Sequence, residues 1–322
     1  MEITMEIENS ISEQQTVVHQ ETAANGNVKE NAPKTKKFRI GWFFLALVPV
    51  VASISLQTLS QTPFMILASL ELAGKGTSEL ANSAGFANDL MKIYAEKYVT
   101  FGLILYGVLA LVAFGLWYYK SYVKKHPRVS VKEVFGVKSV VSSLGLLVAL
   151  QFATLAAMTL ILAFCPHAFD AYTKMMNDLG LGNDALLTIA YGIVLGPITE
   201  ELCLRGLSYA YLERSGLKPA ATIIITSLLF GFMHLNLVQG VYTFFFGAVL
   251  AYLRYKYGSI KITIFAHICY NALGTYGTPA FEKLGISNAV HYVIGGISLA
   301  VIVLCIALIK SDKKAVKGIA AA

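Results

Sequence analysis

Glu200 and Glu201 stand side by side in the apolar stretch that runs from Ala185 to Arg205, where the chain has no other acidic residue. The remaining 17 of its 19 Asp and Glu lie in the N-terminal tail, in loops, or at the edges of apolar segments. A carboxylate at bilayer depth costs about 2.5–3.5 kcal/mol on insertion scales, so it marks a functional site with a partner to be found. Arg205 follows Glu201 by four residues and shares its helix face, whereas Glu200 points about 100° away. The spacing predicts a Glu201–Arg205 pair and leaves Glu200 without a local cation. A carboxylate so placed suits proton exchange near neutrality, the role of a general base. The plain alternative is that both glutamates join a helix-end ion-pair cluster with loop arginines, with Pro197 adding local irregularity.

Two further groups carry polar chemistry into apolar segments. Phe230-Gly-Phe-Met-His234 puts an imidazole late in one segment, and His267-Ile-Cys-Tyr-Asn271 puts an imidazole and an amide on one face of another. Taken singly, each has a bland reading, as an interfacial histidine or as a hydrogen-bonded stripe that glues helices together. At ~1.5 Å rise per residue, Glu200, His234, His267 and Asn271 all fall roughly 10–25 Å from one membrane edge. A carboxylate and an imidazole in such a layer can orient and deprotonate a water, and imidazole or amide N–H groups can stabilise an oxyanion. The same donors could instead ligate a metal that activates the water.

The elements that must position these residues follow from composition. A chain of 322 residues with 56 % hydrophobic content, 14 % charge and a mean hydropathy of +0.62 is expected to be an all-α, polytopic membrane bundle. Apolar stretches fall at roughly 41–66, 98–118, 139–164, 185–212, 217–237, 239–254, 259–276 and 291–309, which predicts about eight transmembrane helices. In that arrangement 21 of the 26 Lys and Arg lie on one side, and the positive-inside rule makes both termini cytosolic. The net charge of +7 is thus a topology and anionic-lipid signal, and it is spread too widely for nucleic-acid binding. The first apolar segment begins only near Gly41, so no cleavable signal sequence is expected. Cys165, Cys203, Cys269 and Cys305 have no Cys-x-x-Cys spacing, which argues against a disulfide framework or a cysteine zinc site. No internal repeat of the kind built into secondary transporters is visible, which argues against a transporter.

Glu-Glu-x-x-x-Arg at 200–205, Phe-x-x-x-His at 230–234 and His-x-x-x-Asn at 267–271 occur in this order on the fourth, fifth and seventh apolar segments. Together they resemble the three motifs of the CAAX protease and bacteriocin-processing family of intramembrane endopeptidases. The resemblance covers about 185–276 and implies a catalytic helical bundle over 139–310. Residues 1–40 are then expected to be a disordered cytosolic tail, 41–138 two N-terminal transmembrane helices with an outer and a basic inner loop, and 311–322 a basic cytosolic tail. The resemblance also implies roles: Glu200 as general base, Glu201 with Arg205 as its supporting pair, and His234 as a second group orienting the water. His267 and Asn271 would form the oxyanion site, with Phe230 as part of the second motif.

The family is commonly classed with metalloendopeptidases, yet the helical zinc signature His-Glu-x-x-His is absent. Glu200, His234 and His267 are the candidate ligands should a zinc ion be used, and a metal-free glutamate mechanism uses the same residues. The expected partners are a membrane-associated protein or peptide substrate and the lipid bilayer of the plasma membrane. Substrate classes implied by the resemblance are CAAX tails and precursor or leader peptides. The alternative is a membrane immunity or regulatory protein that acts by binding a partner, as in self-protection against bacteriocins.

Overall fold

The computed structural model describes residues 37–74, 83–126, 129–178 and 186–312. The tail expected before residue 37 and the residues after 312 lie outside that set. Residues from Phe38 onward form one unit, and among those described every regular element is helical. Among the described residues six helices are long and apolar enough to cross a membrane: Ile40–Gly74 (α1), Gly85–Lys125 (α2), Val137–Phe164 (α3), Leu186–Arg214 (α5), Leu237–Tyr257 (α7) and Asn288–Lys310 (α9). Between them lie Pro166–Asp178 (α4), Pro219–Met233 (α6) and Ile260–Ala272 (α8). The chain is a multi-pass helical membrane protein.

All eight apolar segments are helical, but two are short. Helix α6 has 15 residues. At the α-helical rise it is ~22 Å long, against a hydrocarbon core of about 30 Å. It stops because Leu235 adopts φ +52°, a left-handed conformation that a helix cannot continue through. Helix α8 has 13 residues and passes directly into a π-helical turn, Leu273–Gly277. The expected span over 217–237 therefore ends early, and His234 sits at its C-terminal cap rather than inside it.

Local sequence explains where the site-bearing helices start and stop. Pro219 opens α6 at a position where a missing N–H costs nothing. The Asn236 side chain accepts from the Gln239 N–H at 3.0 Å and so begins α7 two residues after His234. Gly258, at φ +63°, ends α7 in the left-handed region that favours glycine, and Ser259 caps α8 by accepting from the Lys261 N–H at 3.2 Å. The turn between α7 and α8 is thus tight, and His267 lies two helical turns beyond it.

Long-range ties bring alternate helix ends to one end of the bundle. The Arg39 N–H donates to Ser215 O at 2.8 Å, Arg214 Nη2 to Ser121 O at 2.8 Å, and Lys138 Nζ to the Ser311 hydroxyl at 2.9 Å. Lys256 Nζ donates to Lys310 O at 2.9 Å, and Lys261 Nζ to Val129 O at 2.7 Å. The helices therefore run alternately between the same two ends, and the ties at this end are made by Arg214, Lys138, Lys256 and Lys261. The N-terminal helices pack on each other and on α5: Ser53 and Tyr106 share a 2.6 Å hydrogen bond, Thr100 and Thr188 one of 2.9 Å, and Trp117 Nε1 donates to the Tyr211 hydroxyl at 2.8 Å.

Candidate active site

Helix α5 is not regular where it carries the glutamates. A π turn, Tyr191–Leu195, precedes the stretch Gly196–Glu201, and a second π segment, Leu202–Ser208, follows it. Pro197 supplies a reason for the first, since it has no N–H and its ring crowds the carbonyl four residues back. A widened turn relieves both problems, and π turns inside α-helices recur at functional sites. Thr199 adds a 2.8 Å hydrogen bond from its hydroxyl to Gly196 O, which steadies the turn just before the pair.

Glu201 is fully buried and its Oε1 is the meeting point of two helices. Arg205 Nη1 donates to it at 2.8 Å from one turn along α5, and His267 Nδ1 lies 2.9 Å away on α8. Arg205, also fully buried, uses Nη2 to donate to Gly247 O on α7 at 3.0 Å, and its guanidinium lies 4.7 Å from the centre of the Phe230 ring on α6. Removing two charges from water is costly unless they are paired and hydrogen-bonded. Here Glu201 Oε1 and both Arg205 Nη atoms have partners, while Glu201 Oε2 and Arg205 Nε have none among the described residues. Because a carboxylate accepts, His267 Nδ1 carries the proton, and Nε2 is directed elsewhere.

That other direction is Glu200. His267 Nε2 stands 3.6 Å from Glu200 Oε2, beyond a direct hydrogen bond and within reach of a shared water. The Glu200 side chain keeps 24 % of its surface exposed, while that of Glu201 keeps none. The two adjacent glutamates thus occupy different environments: one is locked to an arginine and a histidine, the other is open to a reactant. The unlike environments make unlike roles possible.

Phe230, buried to 1 % exposure, holds the imidazoles. Its ring meets His234 edge-on at 5.0 Å and His267 at 5.7 Å between centres. Phe246 covers the other side of His267 at 4.9 Å and stacks on Tyr270 at 4.0 Å. His234 Nδ1 lies 2.9 Å from Phe230 O, so Nδ1 donates and Nε2 is left as the acceptor. Asn271 Nδ2 donates to Gly192 O, in the first π turn of α5, at 2.8 Å. One of its two N–H groups is therefore committed to helix packing, and the other remains for a ligand.

The structure gathers Glu200, Glu201, Arg205, Phe230 and His267 into one contact network, adds His234 through Phe230, and places Asn271 one turn beyond His267. Sequence reasoning had the Glu201–Arg205 pair and missed its junction with His267, since contacts between distant helices leave no mark on spacing. It reads Gly247 as a small residue that suits close helix packing, which the structure bears out, and does not foresee that its carbonyl receives Arg205. The only signal for that residue was a glycine next to Phe246 in an apolar helix, a feature shared with ordinary packing glycines.

Among the described residues no group of three His, Cys, Asp or Glu side chains is arranged to hold a metal ion. His267 Nδ1 is taken up by Glu201, and Nε2 is the nitrogen that faces Glu200.

No curated protein and no solved structure matches the chain. A family model does, over residues 182–273, described as Type II CAAX prenyl endopeptidase Rce1-like. The matched stretch takes in Glu200, Glu201, Arg205, Phe230, His234, His267 and Asn271, every residue the geometry and the motifs single out. On this match and on that network, residues 182–273 constitute a domain of the CAAX protease family.

Proposed function

We propose that the protein is an intramembrane endopeptidase that hydrolyses a peptide bond of a membrane-associated protein or peptide, with Glu200 activating the water. The observation that carries this reading is His267 set between two carboxylates, with Nδ1 2.9 Å from Glu201 and Nε2 3.6 Å from the more exposed Glu200. A water hydrogen-bonded to Glu200 and to the free Nε2 of His234 loses a proton to Glu200 as its oxygen attacks the scissile carbonyl. The tetrahedral intermediate places its oxyanion toward the second N–H of Asn271 and toward Nε2 of His267, which donates there when the ring carries both protons. Glu200 then returns the proton to the leaving amine, and the C–N bond breaks. Glu201 and Arg205 stay fixed throughout and hold His267 in one orientation, which spares reorganisation as charge develops.

The substrate class that the family description supports is a prenylated C-terminal CAAX tail, whose lipid chain would bring the cleavage site to bilayer depth. In this reading the basic end of the bundle faces the cytosol, where such tails are made, and the plasma membrane is the proposed location. The test is cleavage of a farnesylated CAAX peptide by the purified protein. Glu200→Gln should lower kcat by about 10²–10⁴-fold, the usual worth of a general base, with the protein still folded in the membrane. Cleavage near the wild-type rate by Glu200→Gln would remove Glu200 from the role. A protein acting by partner binding would keep its cellular effect in that variant, which separates catalysis from an immunity function.

A further inference from the structure

The π segment of α5 leaves one backbone group over. Its last bond of five-residue spacing runs from the Tyr209 N–H to Leu204 O, and α-helical bonding resumes at Tyr209–Arg214. A return from five-residue to four-residue spacing skips one carbonyl, and after Leu204 the one skipped is that of Arg205. An unmatched carbonyl in a buried helix needs another donor. The donor is a second buried arginine: Arg254 Nε lies 3.3 Å from Arg205 O, reaching across from α7. Arg254 is 2 % exposed, and its guanidinium lies 5.2 Å from the Tyr122 ring centre and 5.4 Å from that of Tyr209. A planar cation held between aromatic rings keeps its Nε–H aimed in one direction.

We infer that Arg254 is a positioning residue for the active site: its Nε–H takes up the carbonyl that the π segment frees, and so fixes the turn from which Arg205 reaches Glu201. Arg254 touches neither glutamate and lies outside all three motifs. It acts through the backbone of Arg205, whose side chain orients Glu201 and, through it, His267. The inference rests on the proposed function for its catalytic consequence, though not for its structural one.

Side-chain length gives a sharp test. The side-chain nitrogen of glutamine is as many bonds from Cα as Nε of arginine, whereas lysine has a methylene there. Arg254→Gln therefore keeps a donor at the position of Nε and removes the charge, while Arg254→Lys keeps the charge and removes that donor. Arg254→Met removes both and keeps the apolar stem. If the bond to Arg205 O is what matters, Arg254→Gln should cleave the farnesylated CAAX peptide within a few-fold of the wild-type kcat. Arg254→Lys and Arg254→Met should lose about 10²-fold in kcat per folded molecule with little change in KM, the scale of a misplaced catalytic group. Backbone amide exchange over 206–210 should quicken in the Lys and Met variants and not in the Gln variant.

The opposite ranking, with Lys active and Gln inactive, would overturn the inference. It would assign Arg254 to a charge interaction with Glu213, which lies within its electrostatic range. Wild-type kcat in all three variants would leave Arg254 as packing alone and also overturn it. Should the Lys and Met variants fail to accumulate, Arg254→Gln decides, since a folded Gln variant slowed more than about tenfold contradicts the role. If the wild-type protein cleaves nothing, the proposed function fails, and the exchange ranking still tests Arg254 by itself.

Discussion

At the scale of single residues, the central fact is that Glu201, Arg205 and His267 act as one unit. Arg205→Gln leaves the Glu201 charge buried without its cation, and Glu201→Gln does the same to Arg205. Each single change should cost about 3–5 kcal/mol of stability, and the double change should recover part of that loss because no buried charge remains. Activity should not follow stability, since the double variant no longer offers His267 Nδ1 a carboxylate. The measurements are thermal stability and membrane abundance for the single and double variants, read as a double-mutant cycle. Coupling of Arg205 to Glu200, with none to Glu201, would reverse the roles of base and support. Asn271 belongs to the same scale. Its bond to Gly192 O means that Asn271→Ala should lower stability by about 1–3 kcal/mol as well as slow cleavage, because the carbonyl is left unmatched. An unchanged melting temperature would show that this bond contributes nothing.

At the scale of elements, close helix approach at the site makes the glycines unequal. A Cβ on Gly247 would lie 3.1 Å from Phe230 Cδ1 and 3.2 Å from Arg205 Nη2, two groups already fixed by their other contacts. Gly247→Ala should therefore cost about 1–3 kcal/mol through overpacking and should weaken cleavage by displacing Arg205. Gly115, on α2, has nothing within 4 Å of the same position, and Gly115→Ala should raise stability by about 0.5–1 kcal/mol. Equal thermal shifts for the two variants would contradict the close packing at Gly247. The short helix Val131–Val134, before α3, adds a pH-dependent element. The Ser130 N–H and hydroxyl hold the Glu133 carboxyl below its ordinary value. A depressed carboxylate stabilises fully above its unfolded pKa, about 4.3, and that contribution fades as pH falls through the folded value. Wild type should thus lose its advantage over Glu133→Gln only in acid, as a melting-temperature difference that closes below about pH 4.

The elements also show what the sequence made legible. All eight apolar segments are helical, and the Glu201–Arg205 pair forms as four-residue spacing predicts. Three features were hidden for physical reasons. A π segment such as Leu202–Ser208 shifts the bonding pattern without changing composition, so Pro197 alone hinted that α5 was irregular. The early end of α6 depends on one positive φ at Leu235, a residue type that gives no such signal. The junction of Glu201 with His267 depends on how α5 and α8 are brought together, 66 residues apart in the chain. Spacing within a helix is a local property, and that junction is not.

At the scale of the whole molecule, the ties at one end of the bundle turn orientation into a single choice. Arg39 reaches Ser215, Arg214 reaches Ser121, Lys138 reaches Ser311, and Lys256 reaches Lys310. These ends move together, so one membrane face must receive them all. Anionic lipid on the cytosolic leaflet attracts each Lys or Arg near the surface by about 1 kcal/mol, and the sequence assigns 21 of the 26 to this side. We therefore expect reporter fusions after residues 128, 214 and 256 to read cytosolic, and fusions near 85 and 175 to read external. The short α6 gives this test its force, because a helix of 15 residues is short enough for an alternative in which it dips in and returns. In that case α7 would start on the same side as α6, and the reading at 256 would oppose the reading at 214. Agreement between those two sites requires α6 and α7 to cross as a pair, which keeps His234 and His267 at compatible depths. Disagreement would separate the two histidines by a membrane face and dismantle the proposed site.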